Sequence, residues 1–257
     1  MDNPSPHTLQ VIGITGIGEI DSSTNLAEAI LLAVNNQKLP LKSMDILVIT
    51  QKIVSKSEGR VVSLSEFNPS PKALELASET GRDPHLVEAI LSESKSVIRV
   101  DRSRGIIISE THHGLICANA GIDSSNVPGN DMVSLLPKHP DKSASSIMEF
   151  IKNRLGIHLG VIISDTHGRA WRQGATNLAI GVAGLNPITD YRGTTDTFGE
   201  ILNTTTIATA DEIAASAELV MRKTSLIPVV IVRGVDFPEA PGSSEGLIRD
   251  SRSDLFR

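Results

Sequence analysis

Four short apolar runs frame this chain: LQVIGI at 9–14, MDILVIT at 44–50, LGVIIS at 159–164 and IPVVIV at 227–232. All are of strand length, and those at 44–50 and 159–164 are apolar enough for buried strands. Aromatic residues make up only 3% of the 257 residues, so Ile, Leu, Val and Ala must fill the core. A chain of this length can bury a real core as one large domain or two small lobes.

Between the strands the helices are well punctuated. Leu26, Ile30 and Ala33 share one face of a helix over roughly 25–36. Ser70 before Pro71 and Asp83 before Pro84 each pair a capping residue with a first-turn proline. They predict two helices, ended by Gly81 and by Glu93 to Ser96. Strands follow at 97–100, 105–109 and 115–120, with a turn at HHG, 112–114. A loop through Pro128 and Pro137 leads to a helix near 143–155, closed by Gly156. Residues 178–185 read as another strand, and Asp211 as the cap of a helix over 212–223. The stretch QKIVSKSEGRVVSL, 51–64, fits helix and strand patterns alike. A short helix fits near 246–255. Strands and helices mix without strict βαβ alternation, which predicts a mixed α/β (α+β) fold. With no internal repeat or low-complexity linker, 1–257 reads as a single module. Residues 1–8 form a flexible N-terminal tail and 235–257 a C-terminal tail rich in Pro, Gly and Ser.

Composition excludes several function classes. A net charge of −6 lacks the dense basic field of a broad nucleic-acid surface. The lone cysteine, Cys117, rules out an intrachain disulfide and a multi-cysteine zinc cluster, and reads as strand packing. The start, MDNPSPHT, lacks the order of a signal peptide, and no apolar run is long enough to span a bilayer. The expected location is the cytoplasm, away from membranes.

Three segments carry candidate chemistry. SDTHGR, 164–169, puts an aspartate at the mouth of a buried strand, where desolvation is costly unless a cation or several donors meet it. Mg²⁺ or Mn²⁺ suits Asp165, with the Thr166 hydroxyl as a neutral oxygen ligand. On a helix, Arg169 and Arg172 would face one phosphate or carboxylate; a capped turn with solvated arginines accounts for them equally well. NAGIDSSN, 119–126, offers Asp123 as a second metal ligand and Asn126 as a hydrogen-bonding group, with Ala120 and Gly121 permitting close approach. An Asx turn explains the same residues. In QKIVSKSEGR, 51–60, Lys52 and Lys56 can serve a phosphate chain or simply be solvated.

Other motifs fall away. GITGIG, 13–18, has GxxGxG spacing, and the following strand ends in Thr50 and Gln51 without the acid a dinucleotide-binding fold needs. No GxxxxGK[ST] or HExxH occurs. The adjacent His112 and His113 suit an exposed turn better than joint metal ligation, and the sequon Asn203-Thr204-Thr205 is idle without secretion.

Taken in order, ITQKIVSKSEGR with EFNPS, CANAGIDSSNV with LLP, VIISDTHGRAWRQG with AIGVAGL, ADEIAASAELVM and PVVIVRG resemble the coenzyme F420-0:γ-glutamyl ligase family across residues 9–234. The ending LIRDSRSDLFR is similar too. The resemblance is to the stand-alone ligases, without a C-terminal flavin-binding domain. It implies a two-lobed fold with mixed sheets in an intertwined homodimer. It also implies GTP-dependent addition of L-glutamate to F420-0, then γ-linked glutamate to the growing tail, with Mg²⁺ or Mn²⁺ and help from K⁺. Asp123, Asp165 and Thr166 match the metal positions. Gln51, Lys52, Lys56, Asn126 and the turn Ile17, Gly18, Glu19, Ile20 match positions that touch the nucleotide. Lys56 and Arg169 or Arg172 would then take up phosphoryl charge.

The chain departs from the family at MRKTSLIP, 221–228, where Arg222 and Leu226 stand in place of common glycines. Ile201 replaces a frequent acid, and Gly18 a usual proline. These differences leave open an amide ligase using ATP or another carboxylate acceptor, and a non-catalytic nucleotide or deazaflavin binder.

Overall fold

The computed structural model describes residues 7–129 and 131–255. The first six residues of the expected 1–8 tail and the last two of 235–257 lie outside them.

The strands are β1 (Gln10–Ile14), β2 (Ile46–Thr50), β3 (Val61–Ser63), β4 (Ser94–Asp101), β5 (Ile106–Thr111), β6 (Ile116–Ala118), β7 (Met132–Ser134), β8 (Gly160–Arg169), β9 (Arg172–Ala183), β10 (Thr189–Asp190), β11 (Thr206–Ile207) and β12 (Val229–Arg233). The helices are α1 (Leu26–Asn36), α2 (Gln51–Ser57), α3 (Pro71–Thr80), α4 (Pro84–Ser92), α5 (Pro140–Leu155) and α6 (Thr209–Met221).

The four apolar runs assemble into one five-stranded sheet of order β1-β12-β2-β8-β9. Only β2 and β8 run parallel. Side chains alternate across a strand, so Leu47 and Ile49 face the core built with α1 and α5, while Ile46 and Val48 face the core built with α6. A sheet covered on both faces needs apolar residues at consecutive positions, which is why these runs lack an alternating pattern.

A second lobe is smaller. Here α3 and α4 pack over the sheet β4-β5-β6 through Leu76, Ala77, Val87, Ile90 and Ile107. The mixed α+β fold matches the sequence reading. Ser70 and Asp83 cap α3 and α4 as expected, accepting from Ala73 N and His85 N, and Gly81 and Gly156 end their helices in the left-handed region. The ambiguous 51–64 stretch resolves into α2, a turn, β3 and a 3-10 turn.

Several boundaries differ. Helix α5 starts at Pro140, because proline at the first position suits a helix start. Asp211 does not cap α6; it sits in the first turn and accepts from Ala179 N at 2.9 Å, tying helix to sheet. The helix expected near 246–255 is two 3-10 turns, Ser244–Leu247 and Ser251–Ser253. His113 is half-buried rather than exposed. The largest correction concerns Arg169 and Arg172. They face each other across the β8–β9 hairpin, not along a helix.

Candidate active site

The parallel pair positions the site. Thr50, at the carboxyl end of β2, pairs with Ser164, where the parallel stretch of β8 stops, and ligands in open α/β sheets gather at such ends. A cleft of about 880 Å³ opens there between the lobes. Gln51, Lys52 and Lys56 enter it from α2, and Asp165 and Thr166 from β8 just past a bulge at Ile163/Ser164. Asp123 and Asn126 reach it from the loop after β6, and Ile17, Gly18, Glu19 and Ile20 from the turn after β1. Chain segments far apart in sequence thus meet on one cavity. Arg169 does not join them: its guanidinium donates to the carbonyls of Gln173 (2.6 Å) and Gly174 (3.1 Å) at the exposed hairpin end.

Asp123 is pinned by a two-bond bridge with Ser134, at 3.1 and 2.8 Å. Its carboxylate accepts from Lys52 Nζ at 2.8 Å and from Ser125 N and Oγ at 2.7 and 2.9 Å. The Asx turn and the charged contact therefore coexist. Burial pulls its pKa upward, but the hydrogen bonds from Lys52 and Ser125 outweigh it and the carboxyl stays below its ordinary value. Asp165 is the opposite case. With 16% of its side chain exposed, its pKa is raised by burial first and also by the negative charge of Asp123; His167, the Thr166 N–H and Lys223 oppose the rise only in part. One carboxylate is held by donors, and its neighbour is compensated only in part.

The remaining predicted residues have clear anchors. Lys56, 11% exposed, is ion-paired to Glu19. The Gln51 side chain is buried and accepts from Ser55 Oγ at 2.8 Å. Ile20, 4% exposed, pins its turn into the large core. Gly121 serves packing: a Cβ there would lie 2.8 Å from Leu136 Cδ1. Cys117 lines the cleft but is buried, and burial pushes its thiol pKa up to about 12.

The structure adds residues that the motifs did not single out. Asn177, Glu218, His167 and Lys223 also line the cleft. Asn177 is the cross-strand partner of Thr166, a relationship visible only once 164–177 is read as a hairpin. His167 is buried with its Nε2 unpartnered, 3.6 Å from Asp165 Oδ2. Arg222 and Leu226, noted above as replacing glycines, adopt φ of 49° and 53°, where glycine is favoured.

Two carboxylates converging in a half-buried cleft form a hard oxygen donor set of the kind that suits Mg²⁺ or Mn²⁺. The undercompensated Asp165 fits such a cation. No cluster of three or more His, Cys, Asp or Glu suited to a metal occurs among the described residues, so a cation held by these two carboxylates would need further oxygens from water or substrate. No helix among them is long and apolar enough to cross a membrane.

Fold and cleft thus define an α+β protein whose inter-lobe site pairs carboxylates with lysines. Sequence comparison gives the family. The chain belongs to the F420-0:Gamma-glutamyl ligase family, whose profile matches residues 15–234. It is 45% identical over 252 residues to the coenzyme F420:L-glutamate ligase of Methanothermobacter thermautotrophicus, covering 97% of this chain and 99% of that protein. Against the enzyme of the same name from Methanocaldococcus jannaschii it is 44% identical, covering 85% and 86%. Against that of Methanopyrus kandleri the figures are 41%, 84% and 87%.

Proposed function

We propose that this chain, acting as a single module, joins L-glutamate to coenzyme F420-0, and then γ-linked glutamate to the product, driven by GTP and a divalent metal ion. The observation that carries the reading is the convergence of Lys52, Lys56, Asp123 and Asp165 on one cleft of about 880 Å³. A carboxylate is a poor electrophile, so amide formation calls for activation. The acceptor's carboxylate oxygen attacks the γ-phosphorus, the bond to the bridging oxygen breaks, and GDP leaves, giving an acyl phosphate. The deprotonated amine of glutamate then attacks the acyl carbon, and phosphate leaves with the C–O bonding electrons.

The chain's own groups serve these steps. Lys56 can exchange Glu19 for a phosphate oxygen, which frees a largely buried ammonium for the transferring group. Lys52 holds Asp123 in place while presenting positive charge to the same cleft. Asp123 and Asp165 would hold Mg²⁺ or Mn²⁺, which when bound neutralises phosphate oxygens. The turn 17–20, Gln51 and Asn126 border the volume left for the nucleoside. Dependence on K⁺ and assembly as a homodimer belong to this reading through the family resemblance; cytoplasmic location belongs to it as well.

The test is to incubate the protein with F420-0 and glutamate plus GTP, ATP or neither, and to read tail length by mass. Glutamylated product with GTP supports the proposal. Product without nucleotide removes the phosphoryl mechanism; ATP alone sufficing reassigns the energy source.

A further inference from the structure

Sequence resemblance gives Thr166 to a metal ion, yet in the folded chain its hydroxyl is already engaged. Thr166 Oγ1 donates to Asn177 Oδ1 at 2.9 Å and accepts a hydrogen bond from Lys223 Nζ. Asn177 donates onward through Nδ2 to Glu218 Oε2 at 3.1 Å, and it is only 3% exposed, so the acceptor it offers Thr166 is fixed in place. A hydroxyl has one hydrogen and two lone pairs. Here the hydrogen and one lone pair are spoken for, the latter by a full positive charge. A divalent ion on the same neutral oxygen would face that ammonium at close range, and like charges repel; Lys223 is exposed, so solvent screens part of that repulsion.

The placement of Lys223 is built in. It follows α6 directly, in a segment bounded by Arg222 and Leu226, both held at positive φ. Non-glycine residues adopt that region at a cost, and such conformations persist where the surrounding structure enforces them. Arg222 N is in turn bonded to Glu218 O at 3.1 Å. The positive charge of Lys223 also reaches Asp165, so the lysine serves both the hydroxyl and the neighbouring carboxylate.

We propose that Lys223 is a cation that the chain itself supplies to the cleft, a positioning residue whose ammonium occupies the Thr166 hydroxyl and leaves Asp123 and Asp165 as the protein ligands of a single divalent ion. Thr166 thereby orients Lys223 and does not bind metal. The inference rests on the metal-dependent reading of the cleft and refines it: the second positive charge beside the carboxylates comes from the chain.

The experiment is Mn²⁺ titration of the full-length protein, with free Mn²⁺ read by electron paramagnetic resonance and no turnover involved. Removing the ammonium in Lys223→Met or Lys223→Gln relieves repulsion and tightens Mn²⁺ binding by about tenfold. Lys223→Arg keeps the charge and the affinity of the parent. Thr166→Val does not weaken binding. Unchanged or weaker affinity in both neutral Lys223 variants overturns the proposal, as does a tenfold weakening in Thr166→Val, which would restore the hydroxyl as a ligand. A parent chain that binds no Mn²⁺ at all removes the metal reading together with this inference, an outcome distinct from the other two.

Discussion

Lys52 Nζ lies 2.8 Å from Asp123 Oδ2, joining the first turn of α2 to a loop 71 residues further along the chain. The same ammonium donates to Ser125 O and Oγ at 2.7 and 2.9 Å. One lysine therefore fixes the small-lobe side of the cleft against the end of β2. Asp123 is 42% exposed in its side chain, so solvent weakens the ion pair as a source of stability. Lys52→Met is expected to cost under about 1 kcal/mol in unfolding free energy. Its effect on turnover should be far larger, about 10²-fold in kcat/KM, because a positioned charge leaves the site. Paired denaturation and kinetic measurements check the contrast; equal small effects on both would remove Lys52 from the machinery.

Cys117 gives a chemical probe of the cleft floor. Burial raises its thiol pKa to about 12, and the negative charge of Asp165 adds to the rise. The thiolate is the reactive form, so iodoacetamide at pH 8 should leave the folded chain unmodified and alkylate it on unfolding. Mass analysis before and after urea reads the outcome.

Asp211 supplies a pH signature. Burial raises its folded pKa above the ordinary carboxylate value, with the Ala179 N–H and the charge of His167 opposing. A raised folded pKa means that the native state binds the proton more tightly than the unfolded chain. The resulting stability is fully present below about pH 4 and is lost as pH rises through the folded pKa. Asp211→Asn keeps an acceptor for Ala179 and abolishes this contribution. Urea midpoints for parent and variant should therefore diverge, in the variant's favour, as pH climbs from 4 to neutrality.

Gly181 tests the packing that carries β9. A Cβ there would lie 2.6 Å from the carbonyl carbon and oxygen of Pro140, and backbone at the start of α5 cannot rotate aside. Gly181→Ala is expected to destabilise the chain by about 1–3 kcal/mol, visible as a lowered thermal midpoint. No change would show that α5 has freedom to shift.

How legible was all this in the sequence? Capping residues beside prolines and unbroken apolar runs are local signals, so α3, α4 and the central strands could be read directly. Asp123, Asp165, Lys52 and Lys56 were found because each comes shortly after an apolar run, and for Asp165 that run is the first half of β8. The β8–β9 hairpin was not, because only the apolar half of β9 looks like a strand; the polar half, 172–177, is held by pairing with β8. That miss left a helix open for Arg169 and Arg172 beside the capped turn, and hid Asn177 opposite Thr166. Lys223 could not be recognised from its own residue type, since its role comes from a left-handed turn that folds it back over β8.

The account turns on Asp165, a carboxylate buried without enough compensating charge beside a second carboxylate. The decisive measurement is glutamylation of F420-0 by Asp165→Asn, on protein whose unfolding midpoint matches or exceeds the parent's. The prediction is a fall in turnover of at least about 10³-fold, with the midpoint unchanged or raised because a costly buried charge is gone. Turnover equal to that of the parent would contradict the assignment of this cleft as the ligase site.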